Sequence, residues 1–153
     1  MVKKKCLATI LTLFVLLSLF SVSAAAAQPK EVLVDQYTET YADGSYAIVS
    51  VYQSESLARD GSISGHKDFN YYDAGLAWTY SVYGTFTYTG GSATCQAASC
   101  TYSIINHAWY CTSTSAWPSG NAAVASGTMR NGSNGNEAYP SVTLYCSPSG
   151  TLY

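Results

Sequence analysis

Charge, helical periodicity and histidine are all scarce in this chain, and each scarcity closes off a class of function. Only 10% of the 153 residues are charged, and there are two histidines, His66 and His107. A chain this poor in lysine and arginine has no basic stripe to hold a phosphate backbone or an anionic lipid surface, so nucleic acid is not expected as a partner. Beyond Ala27 no stretch repeats apolar residues at three- and four-residue steps, which argues against a helical bundle. Beyond the same point no apolar run is long enough to cross a bilayer, so no membrane span is expected there. Neither histidine stands in a recognisable motif, and no second matched pair of cysteines completes a zinc pattern. No catalytic residue, cofactor or metal ligand is therefore expected.

The one long apolar run lies at the start. Lys3, Lys4 and Lys5 precede Cys6 to Phe20, a stretch of about 15 residues, and Ser23-Ala24-Ala25-Ala26-Ala27 follows it. This basic, apolar, small-residue order is that of a secretory signal peptide over residues 1–27, cut after Ala27, with Ala24 or Ala25 as alternatives. The expected location is therefore extracellular. Residues 28–153 have the size of a single domain. Loss of the leader would remove three of the seven lysines and arginines and leave four cations against nine acids, a formal charge of −5 in place of −2. Cys6 would go with it. A lipid-attachment cysteine must follow the apolar run, whereas Cys6 precedes it.

The rest reads as strand. From Trp78 to Tyr88 the even positions are large and apolar, Gly84 apart, and the odd ones are Thr, Ser or Tyr, as a strand with one buried face requires. Gly84 suggests a bulge or bend. Glu31 to Tyr41 and Ser45 to Ser54 flank Asp43-Gly44 as a hairpin, with Tyr41 facing Tyr46 and Tyr37 facing Ser50. Leu57 to Gly65 reads as a loop, Lys67 to Tyr72 as a short strand and Asp73-Ala74-Gly75 as a turn. Further strands are expected at Cys100–Ile104, Trp109–Ser113, Ala122–Met129 and Ser141–Cys146, with a turn at Ser119-Gly120-Asn121 and a surface loop from Arg130 to Pro140. Seven or eight short strands without helices predict an all-β, single-domain antiparallel β-sandwich.

Four cysteines follow the leader: Cys95, Cys100, Cys111 and Cys146. An even number in an exported chain reads as two disulfides with three possible connectivities. If Cys100 faces Cys111 across a hairpin, Tyr102 faces Trp109, and cysteines, Tyr, Trp and Ile104 share one face while Thr101, Ser103, Ala108 and Tyr110 share the other. That leaves Cys95 with Cys146, worth about 4 kcal/mol in the chain-entropy model against about 3 for the shorter loop. The rival pairing, Cys95 with Cys100 and Cys111 with Cys146, stays open.

Three groupings invite a chemical reading. Gly61-Ser62-Ile63-Ser64-Gly65 superficially matches a nucleophile elbow, but its centre is Ile63, and a linker is the plainer reading. His66 and Asp68 share a strand face, with Asp73 nearby, as an exposed polar edge also would. Asn131 to Glu137 offers oxygen ligands but only one carboxylate, as a turn-rich loop would. A histidine-based hydrolase would need a concave pocket holding His66 or His107 beside an acid.

Tyrosine is the clear excess, with 14 residues joined by Trp78, Trp109 and Trp117. Tyr83, Tyr110 and Tyr145 fall on the polar phase of their strands. With Trp117 they form a candidate binding surface, because a flat ring bearing a hydroxyl suits a glycan or a protein partner.

The order of several short motifs resembles that of small secreted proteins of Gram-positive, gut-type Firmicutes. It runs Tyr41-x-Asp43-Gly44-Ser45-Tyr46, Trp78, Gly84-Thr-Phe-Thr-Tyr-x-Gly90, Ala93-Thr-Cys95, Trp109, Ser119-Gly-Asn121, Ala125-Ser-Gly-Thr-Met129 and Val142-Thr-Leu-x-Cys146-Ser-x-x-Gly-Thr-Leu152. The resemblance implies an exported domain whose first and last cysteines pair, in keeping with Cys95 and Cys146, and implies no activity. Cys100 and Cys111 stand outside that pattern, which suggests a bond of their own. The function expected is a secreted, non-catalytic binding module for a glycan, a wall component or a protein. A bacteriocin-like antagonist of related bacteria is the alternative.

Overall fold

The computed structural model describes residues 30–54 and 61–153; residues 1–29, with the expected leader, and residues 55–60, with the first part of the expected loop, lie outside them. Nine strands follow in order: β1 (Glu31–Thr40), β2 (Tyr46–Ser54), β3 (Ser62–Tyr72), β4 (Leu76–Tyr88), β5 (Ala93–Ile104), β6 (Trp109–Ser119), β7 (Ala122–Asn131), β8 (Glu137–Ala138) and β9 (Ser141–Tyr145). The fold is all-β, with two antiparallel sheets. The first is a five-stranded meander, β1-β2-β3-β4-β5, and the second has four strands, with β7 pairing β6, β8 and β9. Among the described residues no helix is long and apolar enough to cross a membrane.

Alternation along β4 builds the core. Trp78, Tyr80, Val82 and Phe86 all point inward and are at most 1% exposed. Against them lie Ala123, Ala125 and Met129 of β7 and Val142 and Leu144 of β9. Small alanines opposite large rings let the two inner faces interdigitate. The buried phenol of Tyr80 donates to the carbonyl of Ser126 (2.7 Å) and lies 2.8 Å from Thr114 Oγ1, so its hydroxyl is satisfied by the opposite sheet. Gly84 serves close approach: an added Cβ would stand 2.5 Å from the Phe86 ring and 2.9 Å from Ala123. The irregularity expected there falls one step on, between Thr85 and Phe86.

Other expectations need larger correction. Thr40, not Tyr41, faces Tyr46, and Tyr37 faces Val49 rather than Ser50. The reason is the turn, which runs through residues 41–45 with positive φ at Gly44 alone of the Asp43-Gly44 pair. Asp43 closes it by accepting from the backbone N–H (3.0 Å) and the hydroxyl (2.6 Å) of Ser45. A one-residue slip sends each side chain to the opposite face. Residues 62–65, read as loop, form the first part of β3 and pair with β4. Ile63 is buried, and Gly65 lies so close to the Tyr52 carbonyl that an added Cβ would be 2.2 Å from it. The expected Arg130–Pro140 loop includes the end of β7 and all of β8.

The hairpin expected between Cys100 and Cys111 does not exist, since β5 pairs β4 and β6 pairs β7. The Ala77 carbonyl accepts the N–H groups of Ile105 (3.0 Å) and Asn106 (2.9 Å), holding the end of β5 to β4 while the chain crosses to the other sheet. The segregation of faces survives in part: Cys100, Ile104 and Cys111 pack on the core that contains Trp109, but Tyr102, expected with them, is exposed. The strands face each other instead of lying side by side. No disulfide joins the described cysteines. Cys95 and Cys146 are buried in one cluster, and their N–H groups bond the carbonyls of Gly120 (2.8 Å) and Asn121 (3.0 Å), the two residues of the β6–β7 turn.

Candidate functional site

A cleft lies between the first sheet and the β8 segment, lined by Tyr71 and Trp78 on one side and Glu137 to Ser141 on the other. Two cavities of about 430 and 450 Å³ meet there, sharing Asp43, Ser45 and Tyr71. Each is in the size range of small-ligand sites. The back wall is aromatic because Tyr71 and Trp78 are cross-strand partners on the inner face. Their rings stack at 4.8 Å, Phe69 stacks on Trp78 at 5.7 Å, and Trp109 meets Trp78 edge-on at 6.3 Å. Tyr41 extends the row, 6.2 Å from Tyr71.

Carboxylates rim this wall: Glu39 and Asp43 from the first sheet, Asp73 from the β3–β4 turn and Glu137 from β8. Two of them hold tyrosines at the same spacing. The Tyr41 hydroxyl donates to Glu39 Oε2 (3.1 Å), and the Tyr139 hydroxyl donates to Glu137 Oε2. Burial and the Glu39 bond push the Tyr41 phenol up to about 12, and the Glu137 bond raises Tyr139, so both remain neutral donors. The Ser45 bonds hold the Asp43 carboxyl below its usual range. Among the described residues lining the two cavities there is no Lys, Arg or His. The nearby cations lie at the margins: Arg130 Nε is 3.8 Å from Glu137, and Lys67 sits over the Tyr37 ring at 5.6 Å, drawn toward Asp35 and Glu39. The indole N–H groups of Trp78 and Trp109 are buried without a hydrogen-bond partner.

A second cluster lies on the outer face of the same sheet. Tyr52, His66 and Tyr83 are successive cross-strand partners on β2, β3 and β4. The His66 ring is stacked between the tyrosines, 4.7 Å from one and 5.1 Å from the other. Its Nδ1 is 3.3 Å from Glu31 and its Nε2 is 3.6 Å from Asp68. The Asp68 bond raises the imidazole pKa, against burial, which lowers it. Burial alone would raise Asp68, but bonds from His66 and Ser81 hold it below the usual range. The strand thus brings His66 and Asp68 together, while Asp73 goes to the cleft. A cavity of about 320 Å³ beside this row is lined by Glu31 and Tyr83 but not by His66, whose flanks the tyrosine rings cover.

The four aromatics expected to form one surface do not converge. Tyr83 stands on the outer face of the first sheet. Trp117 and Tyr145 share the outer face of the second, opposite Val124 and Ala122 of β7, with Tyr153 stacked on Tyr145 at 5.4 Å. Tyr110 lies at the far end of β6, opposite Arg130. No known family, curated protein or solved structure matches this chain.

The remaining candidates resolve locally. In the Asn131–Glu137 loop the side-chain oxygens of Asn131 and Asn134 accept the N–H groups of Ser133 and Asn136, each at 2.9 Å, so the loop turns these oxygens on itself. His107 is exposed in the β5–β6 connection. The thiols of Cys95, Cys111 and Cys146 are raised by burial, which keeps them protonated and weakly nucleophilic. Reading the sequence residue by residue singled out Asp73 and Glu137 only in other groupings and missed Glu39 and Tyr139. The acid-x-Tyr spacing occurs at Glu39/Tyr41 and Glu137/Tyr139, but also at Asp35/Tyr37 outside the cleft.

Proposed function

We propose that this protein is an exported, non-catalytic binding module, a β-sandwich whose inter-sheet cleft takes a glycan chain. The observation that carries the reading is the pairing of a stacked aromatic wall with carboxylates and neutral phenols. Sugar rings present apolar C–H faces to such a wall and hydroxyls to such acceptors and donors. Exposed Tyr41, just after β1, and exposed Tyr139, just after β8, both line this cleft.

Titration of the purified protein with a panel of cell-wall and storage oligosaccharides, followed by tryptophan fluorescence, tests this. At least one glycan should change the emission, and Tyr139→Ala should weaken it about tenfold with an unchanged circular dichroism spectrum. If no glycan binds and the protein inhibits growth of related bacteria, the antagonist reading takes its place.

Two disulfides belong to the same proposal, Cys95 with Cys146 and Cys100 with Cys111. The first pair is supported by a shared place in the core, where both thiols are buried in one cluster. The second is supported by the common neighbour Tyr80, whose phenol both cysteines influence, and by Thr114 Oγ1 3.0 Å from the Cys100 sulfur. Each bond forms when two thiols give up two protons and two electrons to a disulfide oxidant outside the cell. A non-reducing peptide map should show these two links; Cys95 joined to Cys100 would defeat the assignment.

A further inference from the structure

The outer-face row holds a histidine where the cleft has none. In the row, two tyrosine rings sandwich an imidazole whose nitrogens lie 3.3 and 3.6 Å from carboxylates. In the cleft, rings and carboxylates recur, four acids around one aromatic wall, and no cation lines it among the described residues. Carboxylates held around a low-dielectric wall attract positive charge, and aromatic faces add to that attraction. Tyr41 and Tyr139 each occupy one oxygen of Glu39 and Glu137, and Arg130 lies 3.8 Å from the other Glu137 oxygen, so spare acceptor capacity is greatest at Glu39.

A second feature narrows the ligand further. Trp78 is 1% exposed and Trp109 3%, yet neither indole N–H has a partner, and each ring lines one of the two cavities. A buried donor without an acceptor is costly, so the wall favours a ligand that carries acceptor oxygens. Cation and acceptor must therefore lie within one short unit. A sugar ring with a free amine provides both, with the ammonium toward the acids and the ring and hydroxyl oxygens toward the wall.

We propose that the cleft selects glycans whose hexosamine units carry free amino groups over their N-acetylated forms, an inference that rests on the glycan-binding reading above. Isothermal titration of the purified protein with three probes tests it: a glucosamine hexamer, an N-acetylglucosamine hexamer and hexalysine. The amines should be protonated and the protein's carboxylates ionised. The glucosamine hexamer should bind at least about tenfold more tightly than the other two, and added salt or a pH above the amine's pKa should erase that advantage. Glu39→Gln combined with Glu137→Gln should remove it as well, while Glu31→Gln on the outer face should not.

Equal binding of the two sugar hexamers overturns amine selection and leaves glycan binding standing. Hexalysine binding as tightly as the glucosamine hexamer overturns the sugar requirement. If neither sugar hexamer binds and an amine-free glycan does, the inference fails alone; if no glycan of any kind binds, the parent reading fails with it. The double variant keeps the test decisive, because Glu137 is exposed, Glu39 is half-buried, and both lie outside the core cluster.

Discussion

The outer row and the cleft are made of the same residue types, tyrosine rings and carboxylates, on opposite faces of one sheet. In the row the fold supplies the central ring itself, although His66 Nδ1 is buried without a hydrogen-bond partner. His66 fills the space between Tyr52 and Tyr83, Glu31 and Asp68 meet its nitrogens, and neighbours such as Gln36 with Ser50 and Asn70 with Thr79 pair off at 2.9 and 2.8 Å. The cleft acids have no such central partner. An aromatic and acidic cluster becomes structural when the fold supplies its cation, and becomes a receptor when a ligand must.

The largest effect should come from breaking the row. Asp68→Asn removes the carboxylate that does most to raise the His66 imidazole, and the expected loss is about 1–2 kcal/mol by urea denaturation. A smaller cost than that of an ordinary surface substitution would place the row with the exposed polar edges and dissolve the contrast.

A pH profile of stability sharpens the same point. His66 is raised, so its contribution is complete below the ordinary imidazole value and fades as pH rises through its folded value. Asp68 is lowered, so its contribution is complete above the ordinary carboxylate value and is lost as pH falls through its folded value. Stability from this pair should therefore be greatest between about pH 4 and 6.5. His66→Gln should flatten the alkaline side of that plateau; an unchanged profile would show that the ion pair does not form in solution.

The smallest effect is expected in the cleft. Glu39→Gln should change stability by less than about 0.5 kcal/mol, because the carboxylate's protein partner is an exposed tyrosine hydroxyl, which an amide oxygen can also accept. A loss as large as that of Asp68→Asn would mean that the cleft acids hold the fold together and would remove the contrast on which the ligand argument depends.

Much of the fold was legible because it depends on local alternation. The inward set of β4, the turns at Asp73–Gly75 and Gly120-Asn121, and the outward phase of Tyr83, Tyr110 and Tyr145 all follow from period two and turn chemistry. The sharing of one face by His66 and Asp68 was legible too, but the tyrosines on either side were not, because they come from two other strands. The cleft was hidden for a similar reason. Its walls join residues 39–45, 69–78 and 134–141, and no local pattern states that these segments meet.

The sequence by itself determined the secondary-structure class and which side of each strand is apolar, since both are properties of consecutive side chains along an extended backbone. Only the tertiary structure decided the rest. Register, the separation of β5 from β6 into different sheets, and the meeting of Glu39 with Glu137 around one aromatic wall depend on contacts between distant strands. Each has several solutions compatible with the same alternation. The packing of small β7 residues against the large rings of β4 goes with a single one of them.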